Sequence, residues 1–207
     1  MKTIVPFAAL ALSALALPVS AQSAGDWTIG LGLASVMPKD GNGTVDAGTG
    51  PLGVDVGNDL RPSITVEYFI RDNIGVELLA ATPFKHDVSV GALGKVGTVK
   101  HLPPVVSLNY HWDTGSAFQP YAGIGVNFTG FWDEKTTGAL ADSELSLKNS
   151  WGLAAQVGAD WWLNDRAALR GTVRWIDIDS DVYLDGTKIG TAEVDPLVVQ
   201  AAYVMRF

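Results

Sequence analysis

The sequence predicts an all-β chain: an eight-stranded antiparallel up-and-down transmembrane β-barrel. Three observations predict it. Apolar residues alternate with small or polar ones in eight stretches, and helical periodicity is nowhere sustained. The connections between these stretches run long, short, long, short, long, short, long. The second parity of the stretches is too poor in charge to be a surface in water.

The eight stretches are Asp26–Val36, Leu60–Ile70, Ile74–Thr82, Pro104–Trp112, Gln119–Phe131, Ser150–Leu163, Ala167–Ile178 and Val194–Phe207. Short connections follow at "RDN" from Arg71, "DTGSAF" from Asp113 and "NDR" from Asn164. The long ones, Met37–Asp59, Pro83–Pro103, Trp132–Asn149 and Asp177–Glu193, are rich in Gly, Asp, Ser and Thr and read as loops. One rim of tight turns and one of long loops is the plan of a small outer-membrane barrel, with both chain ends at the tight-turn, periplasmic rim.

A soluble eight-stranded barrel would also alternate, with its apolar face inside and a charged face in water. The residues decide against it. The fourth stretch sets Val106, Leu108, Tyr110 and Trp112 against Ser107, Asn109 and His111. The sixth sets Trp151, Leu153, Ala155, Val157, Ala159 and Trp161 against Gly152, Ala154, Gln156, Gly158 and Asp160. A solvated face carries Lys, Arg, Glu or Asp at roughly a quarter to a third of its positions. The small, glycine-rich face therefore suits a narrow interior, and the apolar face points at lipid. Aromatics sort by height accordingly. Trp27, Tyr68, Trp112, Trp161, Tyr203 and Phe207 fall on the outward parity near the tight turns, and Phe128, Trp151 and Trp175 toward the long loops. Two such girdles are what bilayer interfaces select.

The ends and the composition agree. Lys2, the apolar run Ile4 to Leu17 and the small-residue exit Val19-Ser20-Ala21 predict a secretory signal peptide over residues 1–21, leaving a barrel domain over residues 22–207. The run is short of the ~20 apolar residues of a spanning helix. Loss of Lys2 with the leader takes the net charge from -8 to -9, and no nucleic-acid motif or basic patch is present. The chain has no cysteine, so no disulfide staples the fold. Alternation ending in Tyr203 and Phe207 is expected to be the signal read by the outer-membrane barrel assembly machinery.

Carried inward, the parity collects Glu67, Glu77, His111, Tyr121, Asp160, Arg170 and Arg206 in the periplasmic half of the lumen. Three acids facing two arginines and a histidine should pair and plug a tube that side chains can fill. Structural packing and a role in redirecting a ligand both remain open for that cluster. Higher up, Gly30, Gly32, Ala34, Leu79 and Ala81 make the interior smaller and less charged. "LLAATPF" is apolar on both parities, which turns Leu79 inward and Leu78 to lipid. Pro83, Phe84, Pro103 and Pro104 bracket the second long loop. Proline donates no ladder hydrogen bond, so these residues either open a lateral gap in the wall or merely end strands.

The stretches "NIGVELLAATPFKHD", "HLPPVVSLNYHW", "PYAGIGVNFT", "LSLKNSWGLAAQVGADWWL", "WIDID" and "DP" together resemble the OmpW family, over essentially the whole chain after the leader. The resemblance implies a bacterial outer-membrane barrel with a narrow apolar upper channel. It implies passive uptake of small hydrophobic molecules, with exit sideways through the wall, and the family includes AlkL-type proteins associated with alkane uptake. In that family an aromatic from the seventh strand can face the leucine at Leu79. Here Arg174 occupies the inward parity, a departure that questions a purely apolar constriction. A structural or adhesive surface barrel without transport is the alternative function.

No catalytic residues are assigned. His86 and Ser89 flank a loop with no orienting acid placed by sequence, so no enzyme is expected. His86 and His101 close the two sides of one loop, but two ligands make no metal site, and no cofactor is expected. Acidic loop residues Asp133, Glu134, Asp142 and Glu144 read as a solvated rim facing lipopolysaccharide. The expected partners are outer-membrane lipid and lipopolysaccharide, the assembly machinery and small hydrophobic solutes.

Overall fold

Alternating side chains make a sheet with two unlike faces, and curling that sheet until its edges meet leaves no unpaired strand in an apolar solvent. The computed structural model describes residues 22–207 apart from 47 and 49, so the predicted leader lies outside the described residues. Eight antiparallel strands form the barrel: β1 (Trp27–Met37), β2 (Asp59–Arg71), β3 (Ile74–Ala81), β4 (Val105–His111), β5 (Phe118–Thr136), β6 (Ser150–Asn164), β7 (Ala167–Ile176) and β8 (Leu197–Arg206). Each pairs with its sequence neighbours, and β1 closes the cylinder on β8, from Thr28 opposite Arg206 to Met37 opposite Leu197. Beyond that ladder, the Phe207 N–H donates to the Trp27 carbonyl at 2.9 Å. All eight predicted strands are present, and only the upper end of β5 departs from its expected bound by more than three residues.

The outer face is apolar where the strands predicted it to be. Leu31, Leu33, Ile64, Leu108, Ile124, Val126, Leu153, Val157, Leu169 and Val199 are exposed, bounded by exposed Trp27, Tyr68, Trp112, Trp161, Tyr203 and Phe207 at the tight-turn rim. Trp151 and Trp175 are exposed toward the other rim, and Trp151 packs on Phe128 at 4.9 Å between ring centres. An exposed apolar belt of this extent is a lipid-facing surface.

The long connections correct the sequence reading. All four carry strands as well as loop, and those strands stack into an extension above the barrel. It runs in the order Leu145–Leu147, Asp179–Leu184, Thr187–Glu193, Gly43–Val45, Leu52–Val56, Phe84–Val90, Lys95–Leu102 and the top of β5. Leu145–Leu147 belongs to the connection after β5, which also bridges back to that strand. The Leu147 N–H reaches Glu134 Oε1 at 3.3 Å, and the Thr136 hydroxyl donates to the Ser143 carbonyl at 2.9 Å. These strands alternate over only three to eight residues, too briefly to stand out among glycines and turn residues. Their partners lie far off in the chain, as where Val54 pairs with Val90 and Gly190 with Val45. Inside the extension, Val45, Val54, Val90, Val96, Val182 and Ala192 form an apolar cluster.

Candidate functional site

The lumen is filled by three layers and opens only above them. At the bottom, Trp162, Ala168 and Val204 pack together, with the Trp162 indole N–H bonded to Gln119 Oε1 at 3.0 Å. Arg206 lies here, its guanidinium 5.0 Å over the Trp162 ring. Inward parity was right for this residue, but its placement is against the indole.

The middle layer is polar and drawn from six consecutive strands. Arg170 on β7 makes a bidentate pair with Asp160 on β6, at 2.6 and 2.8 Å. Its Nη1 also donates to Glu67 Oε2 on β2 and Glu77 Oε2 on β3, both at 3.0 Å. His111 Nε2 and Asn109 Nδ2, both on β4, donate to Glu67 Oε1 at 2.9 Å each. Because a carboxylate only accepts, the His111 proton on Nε2 is assigned by this contact. Tyr121 on β5 stacks on His111 at 4.8 Å, lies 4.9 Å beneath the Arg170 guanidinium and bonds the Thr172 hydroxyl. Two small positions make room. A Cβ on Gly158 would lie 2.5 Å from the Tyr121 ring, and one on Gly75 would lie 2.4 Å from Glu67 Oε1. β1 and β8 contribute Gly30 and Ala202 at this height rather than charge.

The structure thus gathers Glu67, Glu77, His111, Tyr121, Asp160 and Arg170, and adds one residue expected higher. Arg174 Nη2 donates to Glu77 Oε1 at 2.7 Å and its Nε to Gln156 Oε1 at 2.6 Å. Gln156 Nε2 in turn donates to Asn109 Oδ1 at 2.6 Å and Glu77 Oε1 at 3.1 Å. Asn109 and Gln156 were legible as inward-facing, but parity alone does not say which inward residue links which. Multidentate guanidinium–carboxylate contacts are the geometry that lets charges survive burial.

Above Arg174 the inward residues become mostly apolar, with Asn127 and Thr129 bonded to each other and Asn127 to the Pro104 carbonyl at the wall. Leu79 is 4 % exposed and its neighbour Leu78 45 %. Leu79 packs with Ala34, Val36, Phe84, Val105, Ala154, Ile176 and Val198, with Ala81 partly buried against them. Arg174 therefore does not enter the constriction, because its charged end turns down to Glu77. Only about 10 Å³ of free space remains in this neck, beside Leu79, Ala81, Phe84 and Pro103. Phe84 was expected at a lateral opening in the wall. Its side chain is instead buried in the neck, because it sits on the inward parity of the Phe84–Val90 strand.

The wall beside the neck is interrupted. The β3–β4 ladder ends at Leu79 opposite Val105, and the next pairing, Phe84 opposite His101, belongs to the extension hairpin. Between them the backbone turns away on each side. The Thr82 N–H bonds the Pro62 carbonyl, and the Pro104 carbonyl receives the Phe128 N–H. Pro83 is exposed, Pro103 buried and Pro104 half-buried at this break.

The extension encloses a chamber of about 80 Å³, walled by Val54, Val90, Val99, Leu145, Val182 and other apolar side chains. His86 and His101 are the only titratable groups among its described lining residues. Their Nε2 atoms are 2.8 Å apart, and His86 Nδ1 contacts the Gly57 carbonyl. Burial, followed by the facing His86, holds His101 down to about 3, and burial also holds His86 below its ordinary value. Outside, Asp177, Asp179 and Asp195 bring carboxylate oxygens within 4.8 Å of one another, and Lys39 pairs with Asp195 at 2.8 Å. Burial, then Asp195 and Asp177, pushes the Asp179 carboxyl up.

Residues 23–207 match the profile of the OmpW family. The chain belongs to this family. It is 38% identical over 202 residues to outer membrane protein W of Vibrio cholerae, with 92% of each chain covered. It is 34% identical over 192 residues to outer membrane protein AlkL of Ectopseudomonas oleovorans, covering 87% of this chain and 82% of that one. Among solved structures, outer membrane protein OprG of Pseudomonas aeruginosa superposes with a TM-score of 0.81 at 34% identity, covering 91% of this chain and 99% of OprG. With its closed eight-stranded barrel and its family, the protein is a bacterial outer-membrane barrel.

Proposed function

We propose that this barrel takes up small hydrophobic molecules passively from outside, through the chamber and neck, and releases them sideways through the wall between β3 and β4. The observation that carries this is the conjunction of an apolar chamber with a lumen blocked beneath it. A solute resting on Leu79 meets a polar layer of Arg170, Arg174, Glu67, Glu77 and Asp160, which an apolar molecule cannot cross without desolvated charge beside it. The interrupted ladder next to Ala81, Pro83 and Pro104 offers the shorter way, from neck to lipid. Membership of the OmpW family supports the same route. Outer-membrane lipid around the belt and lipopolysaccharide beside the extension are its surroundings on this reading. The barrel assembly machinery reading Tyr203 and Phe207 is its route of entry.

A neck obstructed without loss of fold is the test. Leu79→Arg should lower uptake of a hydrophobic tracer into cells by about tenfold or more while heat-modifiable gel migration still reports a folded barrel. A charge held beside apolar walls is costly for an apolar solute to pass. Uptake equal to the parent protein in a folded variant would favour the structural or adhesive alternative, in which Asp133 or Glu134 substitutions, and not Leu79, change the phenotype.

A further inference from the structure

The chamber's two histidines are arranged so that their protons can be assigned from geometry. The Gly57 carbonyl can only accept, so His86 Nδ1, which contacts it, carries a hydrogen. In a neutral imidazole the other nitrogen then carries a lone pair, so His86 Nε2 accepts. Its partner at 2.8 Å, His101 Nε2, must donate. That leaves His101 Nδ1 as a lone pair, and it has no hydrogen-bond partner among the described residues although the residue is only 3 % exposed. Among the described residues nothing nearby is placed to satisfy it. Phe84 and Phe131 stack on the His101 ring at 5.6 and 5.7 Å. The carboxylate of Asp59 is occupied by Arg61 Nε, the Lys85 N–H and the Leu60 N–H. Protonating the pair would set two N–H groups against each other, and the low value of about 3 for His101 is in keeping with a neutral ring.

His101 lines an otherwise apolar chamber, and a buried acceptor left without a donor beside such a chamber is a recognition element. We propose that the chamber selects apolar molecules bearing one hydrogen-bond donor, such as phenols and alkanols, which His101 Nδ1 accepts. This rests on the chamber being the entry compartment, as proposed above. Ethers, esters and ketones of the same size offer only lone pairs and gain nothing at this atom. Hydrocarbons leave it unpaired. Phe131, which also lines the chamber, adds planar contact area for a ring-bearing solute. Selection of this kind is discriminating because the site's own polar atom is left unsatisfied by the wrong ligand.

Phenol, anisole and toluene have similar size and differ in donor content, so they are the probes. The purified full chain in detergent micelles, carrying ¹⁵N-labelled histidine, is titrated with each at pH 7.5. Phenol should move the His101 Nδ1 resonance, whereas anisole and toluene leave it in place. The phenol-to-anisole affinity ratio should be about fivefold higher in the parent than in His101→Phe, equivalent to about 1 kcal/mol for a neutral hydrogen bond. Taking the ratio between proteins removes the intrinsic partitioning of each probe. Equal ratios, with an unmoved Nδ1 resonance, would overturn the selection proposal and leave uptake of apolar molecules standing. Failure of all three probes to bind the parent would overturn the entry compartment itself. Should His101→Phe not fold, the parent's Nδ1 response to phenol against anisole decides alone.

Discussion

The barrel and its extension are built from the same alternating strand, yet they are inside-out with respect to each other. β5 runs through both and shows the switch. Its inward positions are Gln119, Tyr121, Asn127 and Thr129 in the barrel, then Phe131 where the extension begins. Its outward positions are Ile124 and Val126 below, and Lys135 above, beside Asp133 at 3.4 Å. The extension carries further ion pairs on its outer surface, Lys95 with Asp87 and Lys188 with Asp181. The difference teaches that the solvent outside, rather than the strand, decides which face is polar. Lipid outside requires an apolar belt and leaves polar groups to fill the centre. Water outside restores the usual arrangement, with an apolar centre that becomes a chamber. The neck at Leu79 and Phe84 lies where the two arrangements meet.

That comparison can be broken at its lower half first. Glu77→Leu should destabilise the barrel by roughly 3–5 kcal/mol, because Arg170 and Arg174 lose a buried carboxylate. Denaturant unfolding in lipid bilayers measures it. Replacing Arg174 by leucine as well should recover part of the loss, and a single variant as stable as the parent would mean the cluster is not a coupled set.

Acid tests the upper half. Burial holds both chamber histidines below their ordinary value, with Asp59, Arg61 and Asp87 the charges acting on His86, and His86 and then Asp59 acting on His101. Neither ring is protonated in the folded or unfolded chain well above pH 6.5, so they contribute no pH dependence there. Below it the unfolded chain binds protons that the folded extension refuses. Stability falls as pH drops from about 6.5 toward about 3, by up to about 1.4 kcal/mol per pH unit for each such proton. Hydrogen exchange across Phe84–Val90 and Lys95–Leu102, corrected for intrinsic rates, should accelerate over that window, and His101→Phe should flatten the trend. The barrel strands below should not respond in step.

The smallest effect belongs to the outside of the extension. Lys188→Ala removes an exposed pair with Asp181 and should leave stability nearly unchanged, since solvent screens it. Thermal unfolding of the variant in micelles checks this. A loss comparable to that of Glu77→Leu would contradict the contrast drawn between buried and solvated charge.

Period-two alternation is a local property, and whatever depends on it was legible in the sequence. The eight strands, the lipid-facing aromatics and the inward orientation of Glu67, Glu77, Asp160 and Arg170 all follow from it. So does the opposite facing of Leu78 and Leu79. Alternation says which face a side chain leaves from, not where its far end goes. Long flexible arginines escaped it for that reason: Arg206 settles on Trp162, and Arg174 turns down to Glu77 and leaves the neck apolar. Tertiary structure alone decided the extension, because its short strands acquire meaning only from partners distant in the chain. The chamber and the contact of His86 with His101 depend on that pairing, with Phe84 set opposite His101 and Val54 opposite Val90.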